Sequence, residues 1–345
     1  MKAKLSDVCE KASSNLKQSD VEGKTGAYPI YGAAGRIGNV DFYQQEKPYV
    51  AVVKDGAGIG RTMLLPANSS VIGTMQYLLP KDNILPEYLC YVVRYMHLEK
   101  YFSGATIPHI YFRDYKNEEF NLVDIEQQNE IVSVLSKVEG IISKRQQQLQ
   151  LLDEFVKLQF IEMFGDPVLN SKRLPIKTLP EIGENLDSQR IPITSGNRKQ
   201  GIYPYYGASG VVDYVDDYIF DEDILLISED GANLLARVTP IAFSATGKVW
   251  VNNHAHVMRF SSMATQVYVE RFLNMIDIST YVTGTAQPKL NQAKLNSIPI
   301  PFPSEQLMQD YMEIIEQSDK SKFAIRQSIE KLETLKQALM QKYFG

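Results

Sequence analysis

The two halves of this 345-residue chain repeat each other, and the repeat limits the fold more than any other feature of the sequence. Residues 26–35 align without gaps on residues 201–210 at an offset of 175, around a shared Tyr-Pro-x-Tyr-Gly-Ala motif. The same offset carries Asp-Gly-Ala at 55–57 onto 230–232. Because this period is far longer than the roughly 20–50 residues of a solenoid repeat, we interpret the chain as a duplicated domain.

Further matches extend the repeat through each copy. At an offset of 180, Ser103-Gly104 and Pro108 align with Thr283-Gly284 and Pro288; at 179, Glu126-Gln127 aligns with Glu305-Gln306; and Phe164-Gly165 corresponds to Phe344-Gly345. We therefore divide the chain into a first globular domain at 1–124, a first helix at 125–165, a second globular domain at 166–303 and a second helix at 304–345.

The globular parts combine strand and helix signals. Runs rich in β-branched and apolar residues, bounded by turn residues, predict strands at 49–53, 224–228 and 248–251. Shorter helices are predicted at 86–101 and 264–275. The predicted fold class is α+β, with two mixed α/β domains joined by a pair of long coiled-coil helices.

The two predicted long helices carry seam positions at alternating spacings of four and three, as in a coiled coil. The first seam comprises Ile131, Leu135, Val138, Ile142, Arg145, Leu149, Leu152, Val156, Gln159 and Met163. The second comprises Leu307, Tyr311, Ile314, Ser318, Ser321, Ile325, Ser328, Leu332, Leu335 and Leu339. A helix of ~38 residues is ~57 Å long. Because an isolated seam would expose a long apolar stripe, we expect the helices to pair with each other rather than each pack on its own domain.

The formal net charge of −5 is unusual for a nucleic-acid binder. The charge is unevenly placed, however, since an acidic block at 213–223 follows Arg190, Arg198 and Lys199. A local basic surface is therefore compatible with the acidic sum.

Neither a membrane span nor a disulfide framework is indicated. No apolar run approaches the ~20 residues of a spanning helix, and the N-terminus lacks the apolar core of a signal peptide, so we expect a cytoplasmic protein without a membrane partner. The two cysteines, Cys9 and Cys90, are too few for a disulfide framework or a cysteine-rich zinc site and are predicted to be buried.

Several segments carry a resemblance that covers essentially the whole chain. Besides the two helices, they are 28–33, 203–210, 229–234, 250–257, 298–301 and 305–306. In this order the sequence resembles the specificity subunits of type I restriction-modification enzymes.

The resemblance implies a non-catalytic protein. Two target-recognition domains would lie at opposite ends of an antiparallel helix pair, each reading one half of a split site in double-stranded DNA. The helices would act as a spacer and as the docking surface for two modification subunits, which carry S-adenosylmethionine and methylate adenine, with a restriction subunit as a further partner. The chain itself would need no cofactor. From the helix length, the gap between half-sites is expected to be of the order of one duplex turn or less.

Reading duplex DNA requires side chains that reach base edges and cations that bind phosphates. Cationic and imidazole side chains in or beside Gly/Pro-rich loops are the candidates. In the first domain they are Arg36, Lys54, Arg61, His109 and Arg113; in the second they are Arg190, Arg198, Lys199, Arg237, Lys248 and Lys289. The equivalent Tyr31 and Tyr206 are predicted to stabilise the repeated loop, because two domains of different specificity share structural residues and differ in reading residues.

A methyltransferase is a competing hypothesis, since the glycine-rich segment 55–60 follows a predicted strand as a cofactor loop does. The next residues, 61–66, predict another strand instead of the helix that a phosphate-binding loop requires. Gly58 and Gly60 also become Asn233 and Leu235 in the second copy. We therefore interpret this segment as a tight turn.

A nuclease site and a metal site rest on weaker patterns. Asp7 with Glu22-x-Lys24 matches the loose spacing of metal-dependent nucleases, but the second copy lacks it. His254 and His256 would share one face of a strand and could bind a metal, although a hydrogen-bonded pair is favoured because no further ligands lie nearby in the sequence. A coiled-coil adaptor with degenerate domains is a third hypothesis, beside the binding subunit and the enzyme.

Overall fold

The computed structural model describes residues 1–104, 107–284 and 286–345. The chain forms two units: unit 1 comprises Met1–Gln147 and Ile325–Gly345, and unit 2 comprises Gln148–Ala324. The boundary falls within the long helices, so each unit contains a globular part and a segment of each long helix.

Unit 1 combines short strands with short helices. Its strands are β1 (Lys2–Lys4), β2 (Cys9–Ser13), β3 (Tyr28–Gly32), β4 (Gly35–Val40), β5 (Tyr49–Val53), β6 (Thr62–Leu65), β7 (Ser70–Val71), β8 (Met75–Pro80) and β9 (Glu119–Asn121), and its helices are α1 (Leu5–Val8), α2 (Gln18–Val21), α3 (Pro86–Tyr95) and α4 (Phe112–Tyr115). One antiparallel sheet has the order β2-β8-β5-β6, a second has the order β4-β3-β7 with β3 and β7 parallel, and β1 pairs with β9.

The core of unit 1 lies between β5 and α3. All residues of β5 are buried, and Val50 and Val52 pack in one cluster with Tyr88 and Val92 of α3. A continuous apolar run is typical of a strand covered on both faces. Pro86 begins α3, where its missing N–H leaves no hydrogen bond unmade.

A long helix, α5 (Ile125–Phe164), follows, and unit 2 then repeats the arrangement. Its strands are β10 (Ile176–Lys177), β11 (Gly183–Asn185), β12 (Gln200–Gly207), β13 (Gly210–Val215), β14 (Phe220–Asp221), β15 (Ile224–Ser228), β16 (Ala242–Ala245), β17 (Lys248–Val251), β18 (Ala255–Phe260) and β19 (Ile300–Pro301), and its helices are α6 (Leu179–Ile182), α7 (Asn233–Ala236), α8 (Met263–Met275), α9 (Gln292–Asn296) and the long α10 (Glu305–Phe344). The sheets have the orders β11-β18-β15-β16, β13-β12-β17-β14 and β10-β19.

Four aromatic rings join the long helices to α8 in unit 2. The Phe160 ring centroid lies 4.9 Å from Phe164, 5.5 Å from Tyr268 and 5.6 Å from Tyr311. All four residues are at least 98% buried. This cluster fixes α5 and α10 to the globular part of the unit.

The long helices run antiparallel within each unit. In unit 1, Lys336 Nζ lies 2.9 Å from Glu139 Oε1, and the earlier Ile131 lines a cavity with the later Tyr343. In unit 2, Lys322 Nζ lies 2.6 Å from Asp153 Oδ1, and the Tyr311 hydroxyl donates to Val156 O at 3.1 Å. Later residues of α5 therefore meet earlier residues of α10. The predicted fold class, mixed domains with a pair of long antiparallel helices, is confirmed.

The seam follows the predicted positions closely in α5 and less closely in α10. Ile131, Leu135, Val138, Ile142 and Val156 are buried, and Leu152 is half-buried. Leu149 is also half-buried. In α10, Ile325, Leu332 and Leu339 are half-buried.

The register of α10 differs from the prediction at several positions. Leu335 lies outside the seam with 47% exposure, and Ser321 is exposed. Ile315 is buried where the half-buried Ile314 was expected. The buried position lies one residue later because a helix of 3.6 residues per turn drifts from a strict heptad.

Two smaller predictions concern membranes and cysteines. Among the described residues, no helix combines the length and the apolar character needed to cross a membrane. Cys9 and Cys90 are buried and unpaired, and burial raises the pKa of their thiols to about 12 and about 11.

Candidate nucleic-acid interface

Three loops of unit 1 contact one another and form a surface that we call the loop face. It comprises residues 33–34 between β3 and β4, residues 54–61 between β5 and β6, and the described part of 103–113. Arg61 Nη1 donates to the carbonyl oxygen of Ala33 at 2.9 Å. The Gly56 amide donates to Pro108 O at 3.0 Å, and the Ile110 amide donates to Lys54 O at 2.9 Å.

Unit 2 has the same loop face, built from residues 208–209, 229–237 and the described part of 283–291. The Ser228 hydroxyl donates to the carbonyl oxygen of Ala208. The Gly231 amide donates to Pro288 O at 3.0 Å, and the Leu290 amide donates to Glu229 O at 2.8 Å. The repeat therefore preserves the backbone framework of this surface.

The last segment of each loop face is closed by a reciprocal pair of backbone hydrogen bonds. Ser103 and His109 each donate to the other's carbonyl oxygen at 2.8 Å, and Thr283 and Lys289 do the same at 2.8 and 2.7 Å. Gly104 and Gly284 follow the first closing residue with φ of 98° and 84°. A Cβ at either glycine would overlap a carbonyl oxygen of the same loop, so the closed loop requires glycine there.

In unit 1 the candidate cationic side chains are exposed or make few hydrogen bonds within the chain. The Arg113 side chain is 77% exposed and stacks over the Tyr111 ring at 4.8 Å. Arg36 and Arg61 are exposed, and Arg36 donates to Asn39 Oδ1 at 2.6 Å. Lys54 is half-buried between β5 and the turn that follows it.

His109 is partly committed within unit 1. Its Nδ1 lies 2.6 Å from Asp55 Oδ1, and its side chain is 35% exposed. The imidazole also stacks on Tyr111. The backbone bridge between Asp55 and His109 has its counterpart in the bridge between Asp230 and Lys289 of unit 2.

Arg190 does not lie on the surface of unit 2 but in a buried charged cluster. Its guanidinium donates to Glu229 Oε2 at 2.7 Å and to Ala255 O at 2.8 Å, and lies 3.6 Å from Asp187. The Arg190 side chain is only 13% exposed. Acidic partners and a carbonyl oxygen take up its donors, and the role of Arg190 as a DNA contact stays a prediction.

His256 completes this cluster from β18. Its Nδ1 lies 2.6 Å from Asp187 Oδ2 and its Nε2 lies 2.7 Å from Leu290 O, with the side chain 1% exposed. Both neighbouring atoms, a carboxylate oxygen and a carbonyl oxygen, are hydrogen-bond acceptors. His256 therefore joins the last segment of the loop face to the sheet beneath it.

The two carboxylates of the cluster are stabilised as anions. Burial alone would raise the pKa of Asp187, but the hydrogen bond and charge of His256, the Val257 amide and Arg190 together lower it. Burial opposes the shift in Glu229 also, where Arg190, His256 and Lys289 lower the pKa.

Arg198 and Arg237 also have structural partners instead of free surfaces. Arg198 stacks over Tyr205 at 4.5 Å and lies 3.2 Å from Asp213, with 22% of its side chain exposed. Arg237 donates to the carbonyl oxygens of Leu273 and Ile276 at the end of α8. Burial lowers the pKa of Arg237, although the charge of Asp277 opposes the shift. Both side chains are held by partners within the chain, and their roles as DNA contacts stay predictions.

The three predicted lysines of unit 2 occupy different places. The Lys199 side chain is 82% exposed but precedes β12, at the opposite end of the hairpin from residues 208–209. Lys248 begins β17 and lies over the Tyr218 ring at 4.6 Å. Lys289 lies on the loop face, where its ammonium is 3.1 Å from Glu229.

The structure also locates the glycines and histidines on which the enzyme and metal-site hypotheses were based. Gly56, Gly58 and Gly60 all have positive φ in a turn that leads into β6. His254 Nδ1 lies 2.8 Å from Asp230 Oδ2 outside β18, whereas His256 is buried in the cluster. Within the described ranges, no group of three or more His, Cys, Asp or Glu side chains could hold a metal ion.

Comparison with known proteins explains the duplicated framework. The family model for the type I restriction modification DNA specificity domain matches residues 1–152 and 174–337. The chain belongs to this family. Each match covers one copy of the repeat and most of one long helix.

Specificity subunits are also found among its curated relatives. A Haemophilus influenzae protein named as a putative type I restriction enzyme specificity subunit is 31% identical over 153 residues, which are 44% of this chain and 39% of that protein. The MjaIX specificity subunit of Methanocaldococcus jannaschii is 22% identical over 305 residues, 77% of this chain and 69% of its own length. The matched segment is thus less than half of the Haemophilus relative.

Solved structures share the fold of this chain. The S subunit of a type I restriction-modification system from M. genitalium superposes with a TM-score of 0.64 at 17% identity, covering 100% of this chain and 96% of that one. A chain from a type I restriction-modification system, studied for complex assembly and conformational transition, gives a TM-score of 0.57 at 13% identity over 99% and 97% of the two chains.

Sequence reasoning missed the acidic partners of the predicted cations and did not compare the two closed loops of this chain. The anions Asp187 and Glu229 fix Arg190, and Ile107 and Gln287 lie on the two closed loops. No sequence pattern indicated the ion cluster, because its partners are far apart in the chain. Glu229 lies 39 residues from Arg190, and His256 lies 69 residues from Asp187. Comparing the copies at the offset of 180 would have found the loop positions.

Proposed function

We propose that this chain reads DNA sequence as the specificity subunit of a type I restriction-modification complex. The observation that carries the proposal is that the family model matches both copies of a repeat whose loop faces share one backbone framework. Each globular domain, 1–124 and 166–303, would contact one half of a bipartite site in double-stranded DNA. The helices at 125–165 and 304–345 would set the gap between the half-sites.

The loop face of unit 1 has the chemistry of a DNA-binding surface. Arginine and lysine side chains neutralise phosphates, and tyrosines position the duplex. Arg61 and Arg113 are exposed there, and Arg113 stacks over Tyr111, which is 45% exposed. Arg36 is exposed on β4, directly after the loop at 33–34. The proposal places this work, and not catalysis, on the chain.

DNA binding should depend on the loop face and not on exposed cations in general. We expect Arg113→Ala to weaken binding several-fold and to reduce the dependence of log affinity on log salt by about 1, as loss of one phosphate contact does. Fluorescence anisotropy with a DNA site selected from a random pool measures both quantities. Arg326→Ala, an exposed arginine of α10 in the same unit, is the matched control. Equal losses in the two variants would contradict the assignment of the loop face.

An assay of methyl transfer distinguishes the proposed function from the enzyme hypothesis. The pure chain, incubated with DNA and labelled S-adenosylmethionine, should transfer no label, and label should appear in the DNA once modification subunits are added. Label transferred by the chain alone would support the enzyme hypothesis instead. DNA binding in the same assay distinguishes both from an adaptor with degenerate domains. Work on cellular DNA would place the complex in the cytoplasm.

The outer face of α5 is the proposed contact with a modification subunit. Leu151, Phe155 and Leu158 are 62%, 45% and 55% exposed at spacings of four and three, on a stripe of the helix outside the buried seam position Val156. Three large apolar side chains on one helix face favour burial against an apolar helix of a partner. Two modification subunits and a restriction subunit belong to this proposal.

A substitution on that face should prevent assembly with the modification subunits without affecting the folding of the chain. We expect Leu158→Asp to abolish co-purification with the modification subunits while the melting temperature of the chain stays within a few degrees. Gln146→Asp, an exposed position earlier on α5, should leave co-purification intact. Retention of the complex by Leu158→Asp would place the docking surface elsewhere.

A further inference from the structure

The two closed loops share their scaffold and differ in their outward side chains. Both have glycine after the first closing residue, proline before the second, and a buried aliphatic residue after it, Ile110 or Leu290. At the offset of 180, three described pairs differ in side-chain chemistry: Ile107 and Gln287, His109 and Lys289, and Tyr111 and Asn291. Residues that set two different specificities must lie at positions that differ between the copies.

Most of these side chains already have partners. His109 is bonded to Asp55, and Lys289 is paired with Glu229. Asn291 caps α9 by accepting a hydrogen bond from the Lys294 amide, and Tyr111 lies against Arg113.

Of the six side chains in these three pairs, Ile107 and Gln287 are the two not yet assigned a partner. Ile107 is 55% exposed, and Gln287 is exposed with no hydrogen bond from its carboxamide to any other described residue. Each is held on a scaffold fixed by the closing pair and by the glycine that precedes it. The closing hydrogen bonds restrain the backbone on either side of each loop, which lowers the conformational entropy that is lost when a side chain of the loop binds a base.

We propose that Gln287 reads an adenine in one half-site and that Ile107 contacts a thymine methyl group in the other. A carboxamide both donates and accepts, which matches N7 and the N6 amino group of adenine in the major groove, whereas an aliphatic side chain fits the C5-methyl group of thymine. The assignment rests on the proposed function and adds which positions carry specificity. It also explains why unit 2 can read DNA although Arg190, Arg198 and Arg237 are held by structural partners.

The test changes the donor and acceptor character of Gln287 without changing its size. In Gln287→Glu the side chain only accepts, so selection of sites from random duplex DNA should replace adenine at one position by cytosine, whose N4 amino group donates. Gln287→Ala should lose discrimination at that same position by roughly 5- to 100-fold, with the other half-site unchanged. Ile107→Gln should alter one position of the other half-site. Gln292→Ala, an exposed glutamine five residues on, is the matched control.

The outcomes separate this assignment from the proposed function. A wild-type chain that selects no two-part site would overturn the proposed function and the assignment together. A wild-type chain that selects such a site, with Gln287→Ala and Gln287→Glu selecting the same bases equally well, would overturn the assignment alone. Thermal unfolding of each variant alongside wild type shows whether the loop is changed without loss of fold, and a Gln287→Ala variant as stable as Gln292→Ala is expected.

Discussion

Replacing Phe160 with alanine should lower the free energy of unfolding by about 3–5 kcal/mol. Phe160 is 1% exposed, and its ring contacts Phe164, Tyr268 and Tyr311, which belong to α5, α8 and α10. Because three rigid elements converge on this ring, they cannot collapse to fill the cavity that the substitution leaves. Urea denaturation followed by circular dichroism measures the change.

Phe155 provides a control on the same helix with the same substitution. It is 45% exposed, so Phe155→Ala should change the free energy of unfolding by no more than about 0.5 kcal/mol. Similar losses in both variants would show that the aromatic cluster does not join α5 to the globular part of unit 2.

The second large effect is expected for Asp187→Ala. The Asp187 side chain is 10% exposed and accepts hydrogen bonds from His256 and from the Val257 amide beside Arg190. Removing this anion leaves the buried Arg190 guanidinium without one of its two carboxylates and leaves the His256 and Val257 donors without an acceptor, which costs about 3–5 kcal/mol. Asp216→Ala is the control, because its carboxylate is 50% exposed and only 4.0 Å from Lys199, so its loss should cost about 0–1 kcal/mol.

The same cluster predicts the pH dependence of stability. The pKa of Asp187 is lowered in the folded chain, so its contribution is present above its ordinary pKa of 3.8 and is lost as the pH falls through the lower folded value. Wild type should therefore lose stability more steeply than Asp187→Ala below about pH 4. Denaturation at pH values of about 7, 5 and 3.5 measures the two slopes, and parallel slopes would exclude Asp187 as a source of the dependence.

The local architecture followed directly from residue patterns. The runs at 49–53, 224–228 and 248–251 are β5, β15 and β17, because buried strands need continuous apolar and β-branched residues. The glycine-rich segment 55–60 forms a turn before β6, as the strand signal in 61–66 indicated.

The candidate site was harder to predict because a charge in the sequence does not reveal its partner. Arg190 and Arg198 look like surface cations until the fold brings Glu229 and Asp213 to them. The seam of α10 failed for a related reason, since a choice between Ile314 and Ile315 depends on a helix rotation that periodicity does not fix.

Unit 1 is built from two distant segments of the chain, which affects how it can fold during synthesis on the ribosome. Its core includes Tyr88 and Leu135 from the first half of the chain and Phe344 from the second, with the Phe344 ring 5.2 Å from Tyr88. At roughly 5–20 residues per second, synthesis from Gln147 to Phe344 takes about 10–40 s. During that time most residues of the nascent first unit have been translated, but part of its core is missing. Unit 1 therefore cannot complete its core until Phe344 has been made, although most of its residues precede unit 2 in the chain.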